Sequence, residues 1–465
     1  MTSGDLPPGQ PAQPQRRAPG GAHGDPWGPA GPRIRQLLRE RGRLTFAEFM
    51  AEALYGPDGY YTRRPRLGGA AGDFFTSPEL HPAFGALIGE FAARVWDVLG
   101  SPTRFDLVEY GPGTGVLCRD LLDWADRAAP LFAAAIRYRL IEASPALRAV
   151  QRETLAVSGR VDARVTWAAA EYSASPAAEA DSRQRRVIVG LMLANELVDA
   201  LPVHLVTVRD GALRERFVVE QPDGSLGWQE DAPSTQTLAA YFEQLQAWPG
   251  EGCLAEVNLD GVAWMERTAA TLESGAVLVL DYGYPAAELY APARSAGTLL
   301  TYRQHSLGSD PLRHVGAQDI TAHVDFSSLA RAGERGGLET VGLISQAALL
   351  RRLGLDAYLR RLDRAPVAAG AHEVNRRALQ ALIDPDGLGK VQALVQTRGL
   401  PTFDPLPAAG PRVLAGDGGR SETWLPLLRP GQMQLPGPME VEGFLDLDQQ
   451  WHELLSGSDE DELSD

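Results

Sequence analysis

Phe105-Asp106-Leu107-Val108-Glu109-Tyr110-Gly111-Pro112-Gly113-Thr114-Gly115-Val116-Leu117 decides the fold. Phe105, Leu107 and Val108 are apolar and β-favouring, as a buried strand requires. Gly111, Gly113 and Gly115 follow, giving a main chain that turns sharply and lies bare against a ligand. Leu117, Leu121, Leu122 and Ala125 then recur at helical spacing. The order is strand, glycine turn, helix, and the first free N–H groups of the helix point back at the turn. The spacing is G-x-G-x-G, not the G-x-G-x-x-G of a dinucleotide site. Glu109, two places before the first glycine, would repel a pyrophosphate and help hold a cation.

S-adenosylmethionine fits that electrostatic requirement, with an ammonium and a sulfonium beside a carboxylate for the helix N-terminus. E-x-G-x-G-x-G after a strand resembles the first motif of class I methyltransferases. Working outward, strand and helix alternate as in a parallel sheet. Ile136 to Ile141 reads as a strand ending at Glu142, Pro145 to Val157 as a helix, and Val161 to Ala168 as a strand with Glu171 beyond it. Val187 to Ala194 is a continuous apolar run, as expected of a strand buried on both faces. Residues 203–230, with Asp-Gly at both turns, read as an inserted antiparallel meander. Helices follow at 237–248 and 260–272, and strands at 253–257 and 276–281. Leu299 to Leu307 reads as a strand, and Val324 to Gly333 and Ile344 to Leu353 as helices.

Before the glycine turn, Thr45-Phe46-Ala47-Glu48 fits a capping box. Order is expected from about Ile34. Ser77 as N-cap with Pro78 behind it announces a helix running to about Leu99. The expected fold is thus α/β, a doubly wound, mostly parallel sheet with an N-terminal helical segment and an inserted β meander. The expected division is a disordered Pro/Gly-rich head (1–32), a helical cap (33–100), the ligand-binding domain (101–360), a C-terminal helical and loop region (361–456) and an acidic tail (457–465). Proline and glycine return between 401 and 438, which reads as loop or linker.

Composition narrows the function. The chain has 465 residues, 44% hydrophobic and 22% charged, enough for two or three domains or one large one with additions. A net charge of −16 argues against non-specific binding to nucleic acid or anionic membranes. Cys118 and Cys253 form no C-x-x-C pair, so neither a disulfide framework nor a zinc site is expected, and a reducing compartment is. No apolar run reaches membrane-spanning length. The head lacks the apolar core of a secretion signal, and its prolines oppose a transit-peptide helix. A cytoplasmic protein is expected, or a matrix protein if the source is eukaryotic.

In a doubly wound sheet the ligand lies beyond the carboxyl ends of the strands. Glu142, one strand on from the glycine turn, is placed to accept both ribose hydroxyls. Glu171 is a candidate acceptor for the adenine edge. Asn195, Glu196 and Asp199 come straight after a buried strand, where charge is costly unless it serves the cleft. Carboxylates there suit a cationic nucleophile such as a guanidinium. His323 and Asp325 read as structural, Asp325 as the N-cap of the next helix. No cluster of ligands calls for a metal.

Several stretches together resemble the MidA-like methyltransferases, relatives of the mitochondrial complex I assembly factor that methylates an arginine. They are Tyr55 to Tyr61, Gly72-Asp73-Phe74-Phe75-Thr76-Ser77-Pro78-Glu79, Glu109 to Gly115, Asn195 to His204, Asp281-Tyr282-Gly283-Tyr284, Asp319 to Phe326 and, more weakly, Leu382 to Leu394. The likeness runs from about residue 34 to about 396. It implies a class I methyltransferase fold, S-adenosylmethionine as methyl donor and a protein arginine as acceptor. It further implies symmetric dimethylation of a NADH–quinone oxidoreductase subunit, with Asp73, Thr76 and Ser77 over the cofactor. The rival readings are a nicotinamide oxidoreductase and a non-catalytic cofactor-binding assembly module.

Overall fold

The computed structural model describes residues 27–63, 76–157, 163–169, 187–303, 306–400 and 425–429. Asp73, Glu171, the acidic tail and most of the stretch expected as linker lie outside the described residues. The central sheet contains β1 Phe105–Tyr110, β2 Ile136–Ile141, β3 Val165–Ala168, β4 Ile188–Asn195, β5 Leu272–Asp281, β6 Glu339–Ser345 and β7 Gln392–Arg398. Its spatial order is β3-β2-β1-β4-β5-β7-β6. Neighbours from β3 to β5 pair parallel, and β7 pairs antiparallel with both β5 and β6. The order reverses between β1 and β4, which opens a crevice at their carboxyl ends.

Alternation along the strands divides the core. Leu107, Leu191, Leu193 and Leu278 face helices Ala83–Val98 and Val116–Ala128. Val108, Met192 and Val277 face the opposite layer, where Trp264, Met265 and Leu329 pack from helices Leu259–Thr271 and Phe326–Arg335. The fold expected from sequence is therefore present. No helix among the described residues is long and apolar enough to cross a membrane.

The meander is also present, as His204–Arg209, Ala212–Glu220 and Leu226–Asp231. Asp210 and Gly211 both adopt positive φ (53° and 73°), as a tight hairpin turn requires. Leu44–Thr45 and Leu254–Val257 complete this sheet. The Thr45–Glu48 capping box forms, and Phe46, Phe49 and Met50 share one buried cluster with Leu205 and Val218 of the meander. The chain is ordered before Ile34: the helix that holds it, Gly31–Arg41, starts earlier, and Trp27 is buried, its indole N–H donating to Gly224 O at 3.0 Å. The N-terminal helices are thus split between two cores and do not form a separate cap, since Ala83–Val98 belongs to the central sandwich.

Other boundaries moved for local reasons. Ser77 is the first residue of a short helix, Ser77–Leu80, and does not cap it. The chain then goes extended at His81, the residue before Pro82, because proline disfavours a helical predecessor. The expected helix at 344–353 starts only at Gln346; Ser345 caps it, and Ile344 ends a strand. Val324 likewise lies in a two-residue strand, and the helix begins at Phe326. β3 spans Val165–Ala168, shorter than read. The region after 361 is not only helix and loop, because β7 from that region fills the sheet between β5 and β6.

Gly190 and Gly275 sit side by side on β4 and β5 with φ of 153° and 134°. A Cβ on Gly190 would stand 2.0 Å from Asp106 O, and one on Gly275 1.8 Å from Gly190 O. Backbone on both sides leaves no side chain to give way. Gly190→Ala is expected to destabilise the protein by at least ~3 kcal/mol, seen as a lower urea midpoint or loss of soluble protein. A wild-type midpoint would contradict this packing.

Candidate active site

The carboxyl ends of β1, β2 and β4 open on a cleft of about 1020 Å³, part of it open to solvent. Glu109, Gly111, Gly113 and Thr114 line its floor. Glu142 and Ser144 line one end, and Asn195 and Glu196 the other. Tyr55, Tyr61, Thr76 and Glu79 come from the N-terminal segment. Gly111 and Gly113 have φ of 61° and 52°, a conformation side chains disfavour, so bare main chain faces the cleft. Gly115 does not line it. It is the N-cap of helix Val116–Ala128 and packs on Gln151.

The acids at the strand ends are buried. Glu109 accepts the Tyr138 hydroxyl at 2.7 Å. Burial pushes its carboxyl up to about 7 against that bond, and Glu142 pushes the same way. Glu142 Oε1 accepts Ser144 N–H at 2.8 Å, and Oε2 accepts from Gln151 Nε2 at 3.2 Å. Burial raises Glu142 to about 7 too, despite these bonds. Each oxygen keeps a lone pair for a further donor. Gln151 also donates to Gly113 O at 2.9 Å and accepts the Trp167 indole N–H at 3.1 Å, so it ties the glycine turn to β3. Nothing in its local sequence marks that role. Thr114 Oγ1 donates to Glu79 Oε1 at 3.0 Å, fastening the helix Ser77–Leu80 over the turn.

The loop after β4 is the second half of the site. Glu196 holds φ of 50°, unusual for a residue with a side chain. Its Oε1 accepts Ser77 N–H at 3.2 Å and Asn195 Nδ2 at 3.1 Å. Burial, with smaller pushes from Asp281 and Glu79, raises its carboxyl to about 8. Asp281, at the end of β5, holds the loop. Its Oδ2 accepts the N–H groups of Leu197, Val198 and Asp199 at 3.1, 2.8 and 3.3 Å, and Oδ1 accepts Tyr282 N–H at 2.8 Å. Burial still lifts Asp281 to about 7. The sequence offered Asp281 within a motif but gave it no role.

Asp199 and Ser77 are placed differently from expectation. Asp199 does not line the cleft. It lies behind Glu196, its carboxyl raised well above the ordinary range by burial first and then by Asp281, Asp319 and Glu196. Ser77 brings only its N–H; its Oγ donates to Gln346 Oε1 at 3.1 Å, away from the cleft. Thr76 does line the cleft. Tyr61 lines it as well, and its hydroxyl donates to the Asp319 carboxylate at 2.9 Å. Asp325 caps its helix as expected, accepting Ser327 and Ser328 N–H. His323 stands against Tyr284, ring centroids 5.5 Å apart, outside the cleft.

A β3-β2-β1-β4-β5-β7-β6 sheet with a glycine turn after β1 and an acid closing β2 defines a class I methyltransferase. Comparison with known proteins agrees: residues 87–344 match the model of a family of S-adenosyl-L-methionine-dependent methyltransferases, and the chain belongs to that family. It is 31% identical over 369 residues to the mitochondrial protein arginine methyltransferase NDUFAF7 homolog of Drosophila melanogaster, covering 77% of this chain and 82% of the relative. The human mitochondrial protein arginine methyltransferase NDUFAF7 is 31% identical over 350 residues, 71% of this chain and 75% of that protein. A solved structure from Burkholderia thailandensis, bound to S-adenosyl-homocysteine, superposes with a TM-score of 0.72 at 30% identity, covering 82% of this chain and 95% of that one. The cofactor is therefore S-adenosylmethionine.

The raised carboxyls fix a sign. With Glu109 and Glu142 at about 7, both are partly protonated near neutrality. A ligand offering hydroxyl donors and positive charge favours their ionised forms, so binding expels protons. Affinity for S-adenosylmethionine should rise from pH 6 to pH 8. Calorimetry at pH 6.5 in two buffers of different ionisation enthalpy should show net proton release; identical heats would contradict it. The free protein should lose stability over the same rise, because carboxyls raised above their unfolded values stabilise only while protonated.

Proposed function

We propose that this chain transfers the methyl group of S-adenosylmethionine to an arginine guanidinium of a protein. The carrying observation is Glu196. It is a half-buried carboxyl at the end of the cofactor cleft, held by a strained backbone and an amide, and the charges that act on it most strongly, Asp281 and Glu79, are both acidic. A charge site so placed suits a cation brought by the substrate. The two named relatives are protein arginine methyltransferases, which supports the same acceptor.

The cleft fits the cofactor. Main chain at Gly111 and Gly113, with Glu109 beneath, would hold the methionine end, and Glu142 the ribose hydroxyls. Asn195 Oδ1 is a buried acceptor with no donor among the described residues, which a ligand N–H would satisfy. Thr76 would close over the pocket. Bound S-adenosylmethionine supplies an electrophilic methyl on a sulfonium. Glu196 would orient the attacking guanidinium nitrogen by charge-assisted hydrogen bonds and take its proton as the N–C bond forms. Asp199 behind it would add negative potential without touching the substrate. Catalysis of this kind is alignment and electrostatics. Symmetric dimethylation, and a subunit of NADH–quinone oxidoreductase as the acceptor, complete the reading on family resemblance.

Glu196→Gln should leave S-adenosyl-homocysteine affinity within about threefold and cut labelled-methyl transfer to an arginine peptide by roughly 10²–10⁴-fold. Wild-type turnover in that variant would remove Glu196 from the mechanism. Because Glu196 is raised to about 8, wild-type kcat/KM should fall tenfold per unit on the acid side of that value.

A further inference from the structure

Gly115, the third glycine of the turn, meets the buried Gln151 behind the cofactor cleft. It has φ of 81° and does not line the cleft. A Cβ there would stand 3.3 Å from both Cα and Cγ of Gln151, so the glycine makes room for the glutamine stem. Gln151 projects from helix Pro145–Val157 and is fully buried. Its NH₂ is divided between Gly113 O at 2.9 Å and Glu142 Oε2 at 3.2 Å, and its oxygen accepts the Trp167 indole N–H at 3.1 Å. The amide therefore has one satisfied sense. Turned over, it would set its oxygen against two acceptors and its NH₂ against a donor.

Gly113 and Glu142 line the cleft, whereas Gln151 and Trp167 do not. One amide thus spans the turn after β1 and the acid after β2. Ser144 N–H holds the other oxygen of Glu142 at 2.8 Å, so both oxygens are tied and the carboxyl plane is set. A donor on a carboxylate also favours its ionised form, the one that accepts hydroxyls. Two charged neighbours act on Glu142 in opposite senses. Arg148, on the same helix as Gln151, donates to Glu142 O at 3.0 Å and favours ionisation, and Glu109 at the end of β1 opposes it. Gln151 adds to the side of Arg148.

We propose that Gln151 is a positioning residue of the cofactor site, admitted by Gly115 and oriented by Trp167, and that it keeps Glu142 aimed and ready to accept the ribose hydroxyls. It acts through Glu142 and does not touch the ligand. The proposal rests on the reading of Glu142 as the ribose acceptor.

The test is calorimetric titration of S-adenosylmethionine into wild type, Gln151→Met and Glu142→Gln at pH 6.5 and pH 8.5. The result is read as the ratio of wild-type to variant affinity, so that titration of the ligand itself cancels. Methionine keeps the length of the side chain and brings no N–H. Gln151→Met should bind about tenfold more weakly at pH 6.5, where Glu142 without its donor holds its proton. At pH 8.5 the carboxyl ionises unaided, and the loss should shrink to within about threefold. A merely structural defect would cost the same at both pH values. Glu142→Gln has no proton to lose, so adding Gln151→Met to it should change affinity by less than about threefold at either pH. Wild-type affinity in Gln151→Met at pH 6.5, or an equal loss at both pH values, would overturn the proposal. Should Gln151→Met not fold, Trp167→Phe carries the same comparison, because it removes the donor that orients the amide. Its loss should be about threefold at pH 6.5 and vanish at pH 8.5, and a flat profile would likewise overturn the proposal. Wild-type affinity in Glu142→Gln would sink the ribose reading itself. Weak binding in Glu142→Gln beside a flat loss in Gln151→Met would sink the role of Gln151 alone.

Discussion

One carboxylate organises the site. Asp281 gathers four main-chain N–H groups at the end of β5, three from the loop after β4 and one from its own neighbour. Each of those donors would cost about 1–3 kcal/mol if buried without a partner. Glu196, at the start of the same loop, sits in a conformation that costs roughly 1–3 kcal/mol. Several satisfied donors outweigh one strained residue, so the loop stays bent and Glu196 stays aimed. The side chain that lines the cleft is therefore set by one that does not.

The second theme is the burial of acids near a cationic ligand. Glu109, Glu142 and Asp281 are each pushed up to about 7, and Glu196 to about 8, with burial the largest cause in every case. Titratable groups shifted this far in one cleft are what functional sites are built from. In the free protein the cleft holds protons, and a positively charged ligand replaces them. A site lined by ionised carboxylates in water would bind cations less selectively, because water screens them.

Part of this was legible in the sequence, and the reason is locality. The turn from Glu109 to Gly113 and the acid at Glu142 depend on a few consecutive residues after a strand, and both line the cleft. The meander announced itself through Asp210-Gly211 and Asp223-Gly224. Groups whose position depends on distant partners were not readable. Tyr61 finds Asp319 across 258 residues, and Asp281 finds Val198 across 83. β7 falls in a region read as helix and loop, and becomes the strand next to β5 only once the sheet assembles. Ser77 matched a capping pattern, but Glu196 and Gln346 took its N–H and hydroxyl.

The most direct test of the organising carboxylate is amide hydrogen exchange in Asp281→Ala. Alanine removes both acceptor oxygens and with them every bond that the loop donates to this side chain. The amides of Leu197, Val198 and Asp199 should be protected in the wild type and exchange roughly a hundredfold faster in the variant, while Leu193 in β4 and Leu278 in β5 keep their protection. Unchanged protection of the three loop amides would mean that something other than Asp281 holds Glu196 in place.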